Sequence, residues 1–466
     1  MTAIVRLVLL QGGAYIALLL IGGVVTPAEF GVYGITYGAV MLAMRVVLGG
    51  FQPLLAREPG RLEPAVLGAA TRTLVIAATL IAACVALAAI AFPGQAMLLL
   101  ACALFIASVP LRLPALILLS RAVRVGRIAW IQAVDALGFQ VIVLGVVWFG
   151  GSIETALTAA LLSVAIVGPL VCRLLAPWPP LLRSRAPGVT RASVPYLGYS
   201  ALFNVRELGL LPLVGLLAGT VIAGEFTWAW AIAIVPQIVT IAVVEILYSP
   251  LSYLTSSRER FDEAALFVIR MALAVSCIVA AIISACLQLF LVSVANSQWE
   301  GTEALTWLLI GATVVSAMEF AIGTIAMAEG RVVAVTKVRG IEIALTVIVA
   351  IPTLAFAGSA VAFAAGLFAV RVVAAVGLWH TASNAWFARI ARPTAATVAS
   401  CIAAGLAGAY LGAAFLGWGP GLLVVVGAVT LGLCLVIVRV LDGGTLRADL
   451  GTVLRLARGG GAPMTS

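Results

Sequence analysis

The chain consists almost entirely of long apolar runs, broken at short intervals by polar connections that contain Gly or Pro. A helix that crosses a bilayer needs about 20 predominantly apolar residues. Runs of that kind fall near 4–25, 32–55, 67–92, 96–120, 128–148, 154–176, 193–219, 222–250, 264–294, 304–328, 340–356, 361–382, 394–416 and 421–440, so the pattern predicts about fourteen transmembrane helices. The longest polar gap is PWPPLLRSRAPGVTRAS (177–193), whose prolines and arginines mark a cytoplasmic linker. The expected domains are a six-helix bundle over 1–176, the linker 177–192, a second six-helix bundle over 193–382, two further helices over 394–440, and a tail over 441–466. The fold class is an all-α polytopic membrane protein, with the two bundles around a central cavity.

The two sides of the linker resemble each other. AEFGVYGITYGAVMLAMRVVLGGFQPLL (28–55) aligns with GEFTWAWAIAIVPQIVTIAVVEILYSPL (224–251): Glu29 and Phe30 match Glu225 and Phe226, and Pro53 falls within one residue of Pro250. Arg72 and Arg270 occupy similar places in helices three and nine. GRIAWIQAVD (126–135) and GRVVAVTKVRGIE (330–342) both place a Gly-Arg pair before an inner helix start. Six helices per copy is an even number, so the copies share one orientation and are related by an axis along the membrane normal.

Charge then orients the chain. The connections TPAEFG (26–31), PGQ (93–95), FGGSI (149–153), TVIAGE (220–225), ANSQWEGT (295–302), AGSA (357–360) and GWGP (417–420) contain no Lys or Arg. The alternate set, with Arg6 and the C-terminal tail, holds 21 of the 27 basic residues, Lys337 and Arg339 among them. By the positive-inside rule that side is cytoplasmic, and both termini lie there. A composition of 64% hydrophobic and 10% charged residues with a mean hydropathy of +1.21 excludes a soluble domain. The net charge of +9 belongs to loops facing anionic lipid headgroups and needs no nucleic-acid partner. The first helix reads as an uncleaved span. The seven cysteines show no CxxC spacing and read as small core residues.

Six basic residues remain inside the apolar runs, where charge is costly enough to mark function. Arg72 and Arg270 lie within about two turns of the cytoplasmic end and can snorkel. Arg45, Arg206 and Arg371 fall close to mid-membrane, with Arg112 about one turn inward. Helical spacing places them on or beside polar stripes: Tyr33, Tyr37, Arg45 and Gln52 on helix two; Tyr196, Ser200, Asn204 and Glu207, bordered by Arg206, on helix seven. Helix eight adds Gln237, Thr240, Glu245 and Tyr248, helix ten Thr313, Ser316 and Glu319, helix four Ser108 and Arg112, and helix five Gln132 and Asp135. Such stripes face protein or water, never lipid. They either line one cavity or fix the bundle through interhelical ion pairs, for example Arg206 with Glu207 or Glu245. Glu245, then Asp135 and Glu319, are the carboxylates placed for ion coupling.

Several chemistries are excluded. His380 is the only histidine, so neither HExxH zinc chemistry nor a Ser-His-Asp triad can be assembled. Lys337 is the only lysine and follows no Gly-rich loop, so there is no Walker A motif. No Asp-x-Asp occurs, and no outer loop is long enough for a catalytic domain. The reading left is a transporter, not an enzyme, with no cofactor and no metal site, whose cavity is cationic and lined by tyrosines.

The turn TPAEFGVYGITYGAV and the stretch SVPYLGYSALFNVRELGLLPLVGLLAGTVIAGEFTWAWAIAIVPQIVTIAVVEILYSPLSYL resemble the polysaccharide-exporting oligosaccharide flippases of the multidrug/oligosaccharidyl-lipid/polysaccharide (MOP) exporter superfamily. The resemblance covers most of the first twelve helices. It implies a bacterial inner-membrane flippase that moves an undecaprenyl-diphosphate-linked oligosaccharide to the outer leaflet by alternating access. Its implied partners are the lipid-linked oligosaccharide and membrane lipids, with a polysaccharide polymerase and glycosyltransferases nearby. Exopolysaccharide or O-antigen units, teichoic-acid-like units and the peptidoglycan precursor stay open as glycans. Guanidinium binds phosphate bidentately, so Arg45, Arg206, Arg112 and Arg371 suit the diphosphate, with Tyr37 and Asn204 beside them as further substrate contacts. The alternatives are a multidrug exporter of the same superfamily, which would carry acidic residues at mid-membrane, and a non-transporting scaffold of a polysaccharide assembly complex.

Overall fold

A computed structural model describes residues 13–49 apart from 15, 64–121, 125–176, 187–241, 244, 258–293, 297–299, 301–382, 398–399, 401–403, 405–410 and 422–441. Over those residues the fourteen apolar runs are helical apart from short breaks, and no strand occurs among them. The helices are α1 (13–24), α2 (Pro27–Gly49), α3 (Pro64–Ala91), α4 (Ala96–Ser108), α5 (Leu113–Arg121), α6 (Val125–Gln132), α7 (Phe139–Trp148) and α8 (Ile153–Leu175). Next come α9 (Pro187–Leu208), α10 (Leu210–Ala233), α11 (Arg258–Ser293), α12 (Glu303–Ala328), α13 (Val332–Ala350), α14 (Ala360–Ala382) and α15 (Leu422–Leu441). Eight helical stretches among the described residues are long and apolar enough to cross a membrane. Exposed large side chains such as Ile76, Leu80, Leu87 and Ile90 on α3 need lipid, not water, around them.

Local chemistry explains where helices start and break. Thr26 and Glu29 form a capping box at the start of α2: Thr26 donates its backbone N–H (2.9 Å) and its hydroxyl (2.8 Å) to Glu29 Oε2, with Pro27 at the first helical position. Pro110 sits in a 3₁₀ turn, Val109–Arg112, that joins α4 to α5. A π-turn, Ala133–Gly138, joins α6 to α7, and a second, Ile351–Phe356, follows α13 and contains Pro352. Inside α10 the chain bends at Gly219, whose φ of 83° favours glycine. The TVIAGE connection predicted at 220–225 is therefore a one-residue bend with helix on both sides. Helix also starts earlier than the apolar runs do. α9 begins at Pro187, and α13 begins at Val332 rather than 340, taking Lys337 and Arg339 with it.

By contact the chain forms two compact units. Unit 1 comprises Met1–Ala231 and Arg339–Ala360. Within it, glycines bring α2 and α10 into backbone contact. A Cβ on Gly31 would strike the Thr220 carbonyl, and one on Gly224 would strike that of Pro27. The relation is reciprocal, because each glycine faces the carbonyl four residues before the other. Gly34 meets Thr227 and Gly38 meets Leu211 and Pro212, while Gly22 on α1 accepts the Trp228 ring. This is the small-residue packing that holds helices together where lipid removes the hydrophobic drive.

Unit 2 comprises Ile232–Val338 and Val361–Ser466. Here α11 packs on α12 and α15. The helical residues around 401–410 dock on α11 through small side chains: a Cβ on Gly405 would lie 3.4 Å from Ala281 Cα, and Gly408 is filled by Ala285 and Thr430. Cys277, Cys401 and Cys434 are buried there with Leu273 and Ala281. Cys84 departs from the expectation of core cysteines, being exposed on α3.

Candidate functional site

Arg112 is fully buried at the end of the 3₁₀ turn after α4. Its Nε donates to both oxygens of Asp135, at 3.1 and 3.2 Å. Nη1 donates to Ser108 Oγ (3.1 Å), Nη2 donates to the Val164 carbonyl (2.8 Å), and the guanidinium lies 5.3 Å from the Phe105 ring centroid. Gly168 on α8 leaves the space that the guanidinium occupies. One side chain thus ties together α4, the π-turn and α8. A π-turn holds an extra residue and re-aims the side chains in it, which brings Asp135 onto Arg112.

Arg206 at the end of α9 is equally enclosed. It is ion-paired with Glu207 (2.6 Å) and with Glu342 on α13, and Arg339 donates to the other Glu342 oxygen at 2.7 Å. All four residues are buried. The pairing with Glu207 is the structural alternative named for Arg206 in the sequence. Glu342 and Arg339 were missed as site residues because Arg339 counted as a loop charge. The signal was the three-residue spacing of RGIE, which puts both on one helical face once α13 is extended back to Val332. Tyr199 lies within electrostatic range of Arg206 and Arg339. Asn204 is half-buried and turns its amide back along its own helix, donating to the Ser200 carbonyl at 2.7 Å and to its hydroxyl at 3.2 Å.

Arg45 differs from both. It lies eighteen residues beyond Pro27, about 27 Å along α2 at 1.5 Å per residue, and it is exposed. Among the described residues it makes no hydrogen bond or ion pair, yet it is within electrostatic range of Tyr37 and Asp135. The stripe above it is aromatic. Phe30 and Tyr33 stack at 5.4 Å, Tyr33 and Tyr37 at 5.6 Å, and Phe139 closes on Tyr37 at 5.5 Å. Tyr33 donates its hydroxyl to Gln140 Oε1 (2.9 Å), fixing α2 to α7. Phe30 and Tyr33 are buried, Tyr37 is half-buried and Arg45 is exposed, so the stripe opens toward the cation. Of the predicted residues in unit 1, Arg112 and Asp135 form an ion pair, and Arg45 lies within electrostatic range of Asp135 and Tyr37.

Unit 2 holds the other predicted residues. Arg371 on α14 and Glu319 on α12 are both fully buried. Thr313 donates to the Ala233 carbonyl (2.6 Å) where helix breaks at Ile234 ahead of Pro236, and Thr240 bonds the Pro236 carbonyl at 2.9 Å. Glu245 lies outside the described residues. Among the described residues no group of three His, Cys, Asp or Glu side chains is placed to hold a metal ion.

No family model matches the sequence, and no curated protein does. Solved structures do match in fold. The lipid II flippase MurJ, in an inward closed conformation, aligns over 96% of this chain and 99% of its own with a TM-score of 0.66 at 12% identity. That coverage leaves too few residues over to omit the helices beyond 398. An inward-facing multidrug resistance MATE family transporter of the MOP superfamily aligns over 81% of this chain and 97% of its own, with a TM-score of 0.59 at 16% identity. A MOP superfamily transporter from Pyrococcus furiosus, described as having a binding pocket of reversed polarity, aligns over 81% and 94% with a TM-score of 0.54 at 15% identity. The chain is an all-α, multi-pass membrane protein with the fold of the MOP superfamily transporters.

Proposed function

We propose that the protein is a flippase, not an enzyme, and that it carries an undecaprenyl-diphosphate-linked oligosaccharide across the bacterial inner membrane by alternating access, with both termini cytoplasmic. The observation that carries this reading is Arg45. Arg112 is held by the partly exposed Asp135 and Arg206 by the buried Glu207 and Glu342, whereas Arg45 is exposed, within electrostatic range of Tyr37 and without an ion pair among the described residues. A guanidinium in that setting suits a phosphate oxygen, which it meets with two parallel hydrogen bonds. Its place toward the far end of α2 suits a headgroup entering from the cytoplasmic leaflet. The resemblance of the turn at 26–40 to oligosaccharide flippases and the fold shared with a lipid II flippase support the same substrate class. Ion coupling runs through a membrane-embedded carboxylate, with Asp135 and Glu319 the candidates among the described residues, and a polymerase and glycosyltransferases are the expected partners.

The test is reconstitution into proteoliposomes. A polyprenyl-diphosphate-linked oligosaccharide should become accessible to an external lectin with time, while a hydrophobic cation such as ethidium should not be moved. Ethidium transport without glycan movement would establish the multidrug exporter instead.

A further inference from the structure

We infer that Asp135 and Tyr37 form a subsite for the first sugar of the lipid-linked glycan, so that the protein separates a glycosylated carrier from the bare carrier. The inference rests on the reading of Arg45 as the phosphate contact. Tyr33 on α2 meets both Gln140 and Phe139 on α7, and Tyr37 meets Phe139. Asp135 lies four residues before Phe139, in the π-turn that leads into α7. Arg45, like other helical side chains, leans toward the N-terminus of its helix, the direction in which Tyr37 lies. Arg45 lies within electrostatic range of both Tyr37 and Asp135.

Each group keeps capacity for a ligand. A carboxylate offers about four lone-pair positions. Arg112 Nε sits between the two Asp135 oxygens and the side chain stays 14% exposed, so further acceptor positions remain on its open side. The Tyr37 ring is stacked on Tyr33 at an interplanar angle of 10° but is only half-buried, leaving ring surface for the C–H face of a pyranose. The three groups match a phosphate joined to a polyhydroxyl ring: guanidinium for the phosphate, carboxylate for hydroxyl donors, aromatic ring for the apolar sugar face. Asp135 also selects by repulsion. A bare diphosphate near Arg45 meets a like charge on Asp135 and donates nothing to it, whereas sugar hydroxyls turn the same carboxylate into a favourable contact.

The experiment measures binding of two probes to the full-length protein in nanodiscs: undecaprenyl diphosphate, and undecaprenyl diphosphate carrying one N-acetylglucosamine. The unaltered protein should prefer the glycosylated lipid by about tenfold or more, the scale of one or two hydrogen bonds to a charged acceptor. Asp135→Asn should bring that ratio close to one. Because the substitution disturbs the Arg112 pair, Arg112→Gln with Asp135→Asn serves as a neutral-pair control, and the same collapse is expected. An unchanged ratio in folded Asp135→Asn protein, or no preference in the unaltered protein, overturns the inference while leaving the phosphate contact standing. Equal binding of both probes by Arg45→Ala and the unaltered protein would remove the underlying reading as well.

Discussion

Arg112 Nε donates to both carboxylate oxygens of Asp135, at 3.1 and 3.2 Å, and the arginine side chain is fully inaccessible. Removing one partner of a buried pair strands the other's charge, at a cost of about 3–5 kcal/mol, whereas replacing both with apolar groups is often close to neutral. Arg112→Ala should therefore lower the thermal unfolding temperature in detergent more than Arg112→Met with Asp135→Leu does. Equal losses in the two proteins would show that the Asp135 carboxylate left without Arg112 carries no penalty.

The Arg206 network leads to an expectation different from that for Arg45. Glu342 lies between Arg206 and Arg339, so Glu342→Gln leaves two buried guanidiniums with less counter-charge and should destabilise by several kcal/mol. Arg206→Ala should likewise be read first in folded yield and thermal stability, and only then in transport. Size-exclusion profiles and melting curves of the two variants check this; unaltered stability in both would free Arg206 for a direct role with substrate.

The crossing of α2 and α10 admits a sharp comparison. At Gly31 a methyl group would enter the Thr220 carbonyl and at Gly224 that of Pro27, and neither backbone can yield cheaply. Gly145 on α7 faces open space. Gly31→Ala and Gly224→Ala should sharply reduce folded protein, while Gly145→Ala should be neutral or stabilising by about 0.5–1 kcal/mol through helix propensity. Fluorescence-detected chromatography of membranes separates these outcomes.

Orientation is tested by labelling. In a background without the native cysteines, a cysteine at Thr26 or Ser297 should react with an impermeant thiol reagent in whole cells, and one at Ser184 should not. The reverse pattern would invert the topology read from the basic residues.

The helices are legible in the sequence because a bilayer demands one long apolar run per span, and the 3.6-residue spacing of polar groups puts Tyr33, Tyr37 and Arg45 on one stripe. What spacing within one helix does not carry is the partner on another. Tyr33 finds Gln140 107 residues away and Arg206 finds Glu342 136 away. The ends of runs misled for a related reason. Lys337 and Arg339 interrupt the apolar pattern and so read as loop, yet α13 continues through them because Glu342 compensates Arg339 three residues on. The breaks at Gly219 and Pro110 could be read from residue type, whereas the π-turn that aims Asp135 has no local marker in AVDALG.

Arg45 is the residue expected to contact the phosphate of the substrate. Arg45 is exposed and makes no hydrogen bond or ion pair among the described residues, so its replacement should leave the fold intact. The direct measurement is the affinity of purified Arg45→Ala and Arg45→Lys proteins for undecaprenyl-diphosphate-linked oligosaccharide, beside their melting temperatures. Melting should be unchanged, affinity should fall about tenfold or more for alanine as a charge-assisted contact is removed, and lysine, which keeps the charge but not the planar two-point contact, should recover it in part. Full affinity in a folded Arg45→Ala protein would contradict the phosphate contact.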